Sequence, residues 1–224
     1  MGRGKKARFC PQGPGGGENM NKNSIIYTII FGFITTFIFV VPLSIAYNVT
    51  KPLVAFNSEI AKKRAVLASF DLLDANTLLT NEQIAQLYSK VQEKEFNNRL
   101  VFVYQDGEEQ FYAGQFTVAG LWGPITAVVS FPSDLSRVKS FSVVSHSETP
   151  GLGARITEPW FVEQVKNEAF NNGSIAVNSL PKDKNDKDDG QIDAITGATR
   201  TSDAMAALFR TARTEMENII RRIQ

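Results

Sequence analysis

Residues 25–47 read IIYTIIFGFITTFIFVVPLSIAY without a charged side chain, which meets the roughly 20 apolar residues a helix needs to cross a bilayer core. In residues 48–76, Leu53, Phe56, Ile60, Val66 and Phe70 return at near-helical spacing and predict a stalk helix leaving the bilayer. A second helix is predicted over 81–95, with Asn81 as its cap and Ile84, Leu87 and Val91 along one face. Then the period changes to two. The segment LVFVYQDGEEQFYAGQFTV holds two strand-like runs about Asp106-Gly107, a strong hairpin signal, and PITAVVSF and VKSFSVVSH add two strands joined across 132–137. Helical spacing resumes in EPWFVEQVKN, where Pro159 suits a first turn. It appears again in the long alternating run that follows residues 193–205 and ends at Gln224. This order predicts an α+β fold: a single N-terminal transmembrane helix, then one domain with a largely antiparallel sheet flanked by helices. The expected divisions are a disordered leader over 1–24, the span over 25–47, a stalk region over 48–78 and the folded domain over 79–224.

A cleaved leader is the rival reading of the span, since Ser44-Ile45-Ala46 has the small residues of a cleavage site. Length favours a retained anchor, because a signal's apolar core usually runs to only about 7–15 residues. Arg3, Lys5, Lys6, Arg8 and Lys22 precede the span, while Lys51, Lys62, Lys63 and Arg64 follow it. That bias leans toward an inside N-terminus, with the folded domain on the outer face of the membrane. The stretch before Met20, GPGGGEN included, has the composition of a disordered tail.

Charge and composition narrow the chemistry. The 224 residues carry 24 basic and 23 acidic side chains, with no basic stripe of the kind nucleic acid requires. Cys10 is the only cysteine and His146 the only histidine, so no intrachain disulfide, cysteine metal cluster or haem-attachment pair can form, and no metal site is expected. His146 ends a strand-like run and is expected to be structural. The charged loop LPKDKNDKDDG lacks the Gly and terminal Glu of an EF-hand and is read as a solvated connection.

The informative places are three loops. In DAITGATRTSDAM, Thr196, Thr199, Thr201, Ser202 and Asp203 crowd the entrance of a helix expected to open from about Ser202, which needs one capping oxygen, and Gly197 removes the side chain at its tightest point. By pattern alone this is either an over-capped helix or a phosphate site, since free amides and the positive dipole end of a helix attract anions. AGLWGPI sets Trp122 between Gly120 and Gly123, and SHSETPGLGARI follows a strand. Singly these are turns. Together they predict three backbone-permissive loops converging on one flat ligand, with Trp122 for stacking and Gly151 and Gly153 for close approach.

Asp193, Thr196, Gly197, Ala198 and Thr199 match the D-x-x-[ST]-G-A-T signature of flavin-transferase substrates, and SETPGLGA matches a second hallmark of the same family. From about Met20 to Gln224 the chain resembles the covalent-FMN-binding family that includes the G subunit of Rnf electron-transport complexes and the C subunit of Na+-translocating NADH:quinone reductases. The resemblance implies FMN joined by a phosphodiester to Thr199 through a flavin transferase, with Asp193 as the recognition carboxylate and Thr196, Gly197, Ala198 and Thr201 around the phosphate. It implies further that Glu148, Thr149, Leu152 and Gly153 line the isoalloxazine and Trp122 borders it. No side chain is expected to act as a catalytic acid or base, since the flavin carries the redox chemistry. SHSETPGLGA and DAITGATRTS look like the Rnf proteins, which pass electrons between ferredoxin and NAD with Na+ or H+ translocation, whereas GLWGPI looks more like the quinone-reductase protein. Either way the implied protein is a single-pass subunit of the cell membrane that works with other membrane and redox subunits and not alone. A membrane scaffold whose T-G-A-T stays unmodified is the third reading.

Overall fold

The computed structural model describes residues 25–73, 79–96, 99–179 and 186–222. The expected leader over 1–24 and the end of the expected stalk region lie outside those residues. The chain divides into two compact units, residues 1–54 and residues 55–224.

Span and stalk belong to one helix, α1 (Ile25–Ser69), which runs through Pro42 and Pro52 without a break. Its apolar half is long and hydrophobic enough to cross a membrane, and Phe33, Phe37, Phe39 and Leu43 stand exposed along it. Polar side chains there bond back to their own backbone. Thr36 Oγ1 donates to Gly32 O at 2.8 Å, Asn48 Nδ2 to Ser44 O at 2.9 Å and Thr50 Oγ1 to Ala46 O at 2.9 Å, so these groups stay satisfied in an apolar surrounding.

The helix stops at Ser69, short of the stalk boundary expected at 78, because Asp71 turns left-handed (φ 64°). Its N–H donates to Ala68 O at 3.0 Å and the Leu72 N–H to Leu67 O at 2.9 Å, a Schellman cap. Helix α2 (Asn81–Tyr88) follows. Its cap is Thr80 rather than Asn81: the Thr80 hydroxyl accepts from the Gln83 N–H while Gln83 reaches back to the Thr80 N–H, a reciprocal capping box. The helical reading of 81–95 fails beyond Tyr88, because Gln92–Phe96 pairs as strand β1 with β2 (Arg99–Asp106). Cross-strand pairing there overrides local spacing.

Strand β3 (Glu109–Ala119), β4 (Pro124–Pro132) and β5 (Ser140–Ser145) complete an antiparallel sheet in the order β1-β2-β3-β4-β5. Asp106 and Glu109 close the β2–β3 hairpin around Gly107 (φ 60°), as Asp106-Gly107 predicts. Alternate side chains sort to two cores. Val101, Val103, Ala127, Val129 and Phe131 join one, while Phe102, Ala113 and Val128 join the other with Ala65, Val66, Leu67, Phe70 and Ile84.

The first core is closed by helix α3 (Pro159–Val165), opened by Pro159 as expected, and helix α4 (Thr199–Ile220). Met205, Leu208, Phe209, Ala212 and Met216 recur on the buried face of α4, each fully buried large side chain contributing about 1.5–3 kcal/mol. Phe141 packs T-shaped against Phe209 (ring centroids 5.2 Å apart) and Phe161 (6.1 Å). A parallel pair that the sequence reading omitted, β6 (Ala176–Asn178) and β7 (Gln191–Asp193), delivers the chain to α4.

Candidate functional site

Three connections meet at one end of the sheet. Between β3 and β4, the Gly120 N–H donates to Gly123 O at 2.8 Å, a tight turn that leaves Leu121 and Trp122 at its tip. Trp122 is 69% exposed. After β5, residues 146–152 lead into a 3-10 turn, Gly153–Thr157, with Gly151 at φ 75° and Thr149 O accepting the amides of Leu152 (3.2 Å) and Ala154 (3.1 Å). Arg155 on that turn stacks over the Trp160 ring at 5.0 Å, and Glu158 accepts from both, so the exit of the loop is braced. The third connection runs from β7 through Ile195 to α4.

α4 begins at Thr199, three residues before the start near Ser202 expected from the sequence, and its cap position is Ala198, with no side-chain capping bond. The surplus hydroxyls are therefore not competing caps. Ser202 is buried and holds the approach to the helix: its hydroxyl accepts the Ile195 N–H at 2.9 Å and donates to Ala198 O at 3.1 Å. Gly197 sits at φ 78°, a left-handed turn that favours glycine. Thr196, Gly197 and Thr199 are exposed, and Ala198 is buried beneath them. Asp193 ends β7, where its N–H donates to Gln164 Oε1 at 2.9 Å and its carbonyl accepts from Gln164 Nε2 at 3.1 Å.

Glu148 joins all three connections. It is 5% exposed. Its Oε1 accepts the amides of Leu121 (2.9 Å) and Trp122 (3.2 Å), and its Oε2 accepts the Thr201 hydroxyl at 2.5 Å. Its own N–H donates to Nδ1 of His146, the lone histidine, at 3.2 Å. Two glycines make room for this carboxylate. A Cβ on Gly120 would lie 2.4 Å from Glu148 Oε1, and one on Gly153 would lie 2.6 Å from both Glu148 Oε2 and Thr201 Oγ1. Thr201 is 1% exposed and its hydroxyl is committed inward. The expected ligand residues thus fall into two layers, Trp122, Thr149, Leu152, Thr196, Gly197 and Thr199 outside and Glu148, Gly153, Ala198 and Thr201 beneath, with Asp193 half-buried at the end of β7. Leu121, exposed beside Trp122, and Ser202 were not singled out from the sequence as ligand-site residues.

The surface so made is open. A cavity of about 370 Å³ lies elsewhere, between β2, β3 and α4, where Arg99 and Glu215 pair, and another of about 590 Å³ lies beside Pro132 and Arg137. What marks the loop cluster is its chemistry. An exposed hydroxyl opens a 22-residue helix whose first turn holds no acidic side chain and no side-chain cap. A phosphate ester on that hydroxyl would meet free backbone amides and the positive end of the helix dipole. Exposed Trp122 and Leu152 offer apolar faces to a planar ring. These residues fit a flavin mononucleotide.

Residues 120–214, which contain all three connections, match the FMN-binding domain family. Along its length the chain is similar to G subunits of ion-translocating oxidoreductase complexes. It is 39% identical to the G subunit of the ion-translocating oxidoreductase complex of Methanosarcina acetivorans over 45% of this chain and 48% of that protein, about half the relative's length. Against the G subunit of the proton-translocating ferredoxin:NAD(+) oxidoreductase complex of Clostridium ljungdahlii, identity is 29% over 84% of this chain and 89% of that protein. The fold is shared with the solved C subunit of the Na(+)-translocating NADH-quinone reductase of Parabacteroides distasonis, at a TM-score of 0.58 and 23% identity over 73% of this chain and 93% of that one.

Proposed function

We propose that this chain is the membrane-anchored flavoprotein subunit of an Rnf-type complex, carrying FMN as a phosphodiester on Thr199 and relaying electrons between ferredoxin and NAD branches as ions are translocated. The observation that carries the reading is the position of Thr199: an exposed hydroxyl at the first residue of α4, next to left-handed Gly197, with no side-chain cap on the helix. The Clostridium relative, aligned along most of this chain, bears a name that couples ferredoxin to NAD(+), which supports the Rnf assignment over the quinone-reductase one.

Within that reading, Thr199 Oγ1 holds the phosphate, and the amides opening α4 stabilise its charge by about 0.3–1 kcal/mol, more where partly buried. Gly197 leaves the hydroxyl open to a flavin transferase, and Asp193 is the carboxylate that enzyme reads. Trp122, Thr149 and Leu152 border the ring, while Gly153 and Ala198 lie under it. When bound, the flavin supplies one- and two-electron redox chemistry, and the protein supplies orientation and electrostatics. α1 anchors the chain in the membrane, with the folded domain on the outer face. The protein does not work alone, because a single cysteine cannot ligate an iron–sulfur cluster and electrons must pass to and from other subunits.

The test is peptide mass spectrometry of the full chain co-expressed with a flavin transferase and then denatured. The expected result is the FMN increment on the peptide containing Thr199. A colourless protein without the increment would establish the unmodified scaffold instead. Protease should digest the folded domain in right-side-out vesicles, and the isolated chain should not oxidise NADH at a physiological rate; the opposite result in either assay contradicts the corresponding part of the proposal.

A further inference from the structure

We propose that Glu148 is a positioning residue that makes no contact with the flavin and instead fixes Trp122 relative to Thr199, through a relay from the first turn of α4 to the Gly120–Gly123 turn. The inference rests on the reading of Thr199 and Trp122 as tether and ring border. The relay itself is a matter of geometry and chemistry in the chain.

Thr201 lies in the same helical turn as Thr199 but points inward, where its hydroxyl donates to Glu148 Oε2 at 2.5 Å. The other oxygen of the same carboxylate accepts the Leu121 and Trp122 amides. One rigid planar group therefore joins the helix that bears the attachment hydroxyl to the turn that bears the exposed indole. A solvated carboxylate would gain little from such bonds. At 5% exposure Glu148 has exchanged water for three protein donors, and losing any of them leaves a buried polar group short of a partner. The fit is tight on both sides, since neither Gly120 nor Gly153 has space for a Cβ beside the carboxylate.

Glu148 is thus sealed under the surface on which a ring would lie. Its part in flavin binding is preorganisation: the exposed indole is held in one place before any ligand arrives, which lowers the ordering cost of binding. The Gly120–Gly123 turn would otherwise have Trp122 at its tip with a single backbone bond across its base.

The experiment uses the full-length chain in detergent, expressed without a transferase and so free of flavin, in a Trp160→Phe background where Trp122 is the only indole. Amide hydrogen exchange at Leu121 and Trp122 is read by NMR, and the orientation of Trp122 by its near-ultraviolet circular dichroism band. Thr201→Val removes the donor at constant shape. It is expected to speed exchange at both amides by roughly tenfold or more and to weaken the indole band, with exchange in β3 and β4 unchanged. Glu148→Ala does the same, and the double variant is no worse than Glu148→Ala alone. Thr201→Ser keeps the wild-type values. So does Glu148→Gln, whose Oε1 still accepts the amides while its Nε2 donates to Thr201. If Glu148→Ala does not fold, the Val and Ser variants at 201 decide. Unchanged Leu121 and Trp122 exchange in Thr201→Val overturns the relay, as does acceleration spread evenly over the sheet. Flavin attachment is scored separately by mass on chain co-expressed with a transferase: a wild type that never acquires FMN would sink the proposed function and leave the relay standing.

Discussion

Leu152 reaches across to Gly197: its Cδ2 lies 3.1 Å from the point a Cβ on residue 197 would occupy. Two loops more than 40 residues apart in the chain thus touch beside the attachment hydroxyl, with a left-handed glycine (φ 78°) as the lower partner. Gly197→Ala must absorb both the conformational penalty of a side chain at positive φ and a displacement of Leu152. We expect a loss of about 1–2 kcal/mol in thermal unfolding, together with reduced flavin attachment. Gly151→Ala is the comparison: its φ is 75° with open space around the new Cβ, so the strain alone, about 1 kcal/mol, is expected. Equal losses and equal flavin content in both variants would show that the Leu152 contact has no consequence.

Thr199→Ala is the direct test of the tether. The side chain is exposed and makes no capping bond at the start of α4, so stability should change by less than about 0.5 kcal/mol, while the FMN increment should vanish from the intact mass. The tempting matched control, Thr201→Ala, is unsuitable, because that hydroxyl is buried and bonded to Glu148. Thr214→Ala is the better one, an exposed hydroxyl on the same helix outside the signature, and should keep the flavin. An increment that survives Thr199→Ala moves the attachment elsewhere.

Much of this was legible in the chain. Asp106-Gly107, Pro159 and the apolar span marked their elements because each signal is local: a turn residue, an imino ring, an uncharged run. The convergence of the three loops was legible because glycine and hydroxyl residues gather in them beyond what plain turns and a single helix cap require. Thr201 shows what was lost. With the helix assumed to begin near Ser202, its hydroxyl looked like a cap; with the helix beginning at Thr199, Thr201 falls on the stripe of Met205, Leu208 and Ala212, at spacings of four, seven and eleven. One turn of error in a boundary turned a buried residue into a surface one. The β1 strand and the β6–β7 pair were illegible for another reason, since pairing partners distant in sequence decide them.

Gly153→Ala probes the packing beneath the site. The new methyl would lie 2.6 Å from both oxygens of the Thr201–Glu148 bond, so that bond must open or the 3-10 turn must move. Overpacking and a lost buried hydrogen bond together are expected to cost about 2–4 kcal/mol. The check is urea unfolding of the full chain. A stability within about 0.5 kcal/mol of wild type would mean that the turn yields freely, and that Glu148 is not held as tightly as its contacts imply.

Glu168 sets a pH dependence away from the site. Its side chain is fully buried. Oε1 accepts the Gln191 N–H at 3.1 Å, and Oε2 has no hydrogen-bond partner among the described residues. Burial, aided by the charge of Asp189, pushes its pKa from the ordinary 4.5 to about 7, against the backbone amides of Gln191 and Gly190 and the charge of Lys187. Lys187 does not neutralise it by a direct bond, since its ammonium donates to the carbonyls of Glu163 and Gln164, and burial lowers its own pKa. Between pH 4.5 and about 7 the folded state holds the Glu168 proton and the unfolded chain does not. Stability from this group is therefore complete below the unfolded value and is lost as pH rises through about 7, by at most about 3 kcal/mol. Glu168→Gln keeps an acceptor for Gln191 and removes the titration, so its stability should stay flat across that window and exceed wild type above it. Urea unfolding at a series of pH values checks the sign: a variant whose profile falls in parallel with wild type would place the titrating group elsewhere.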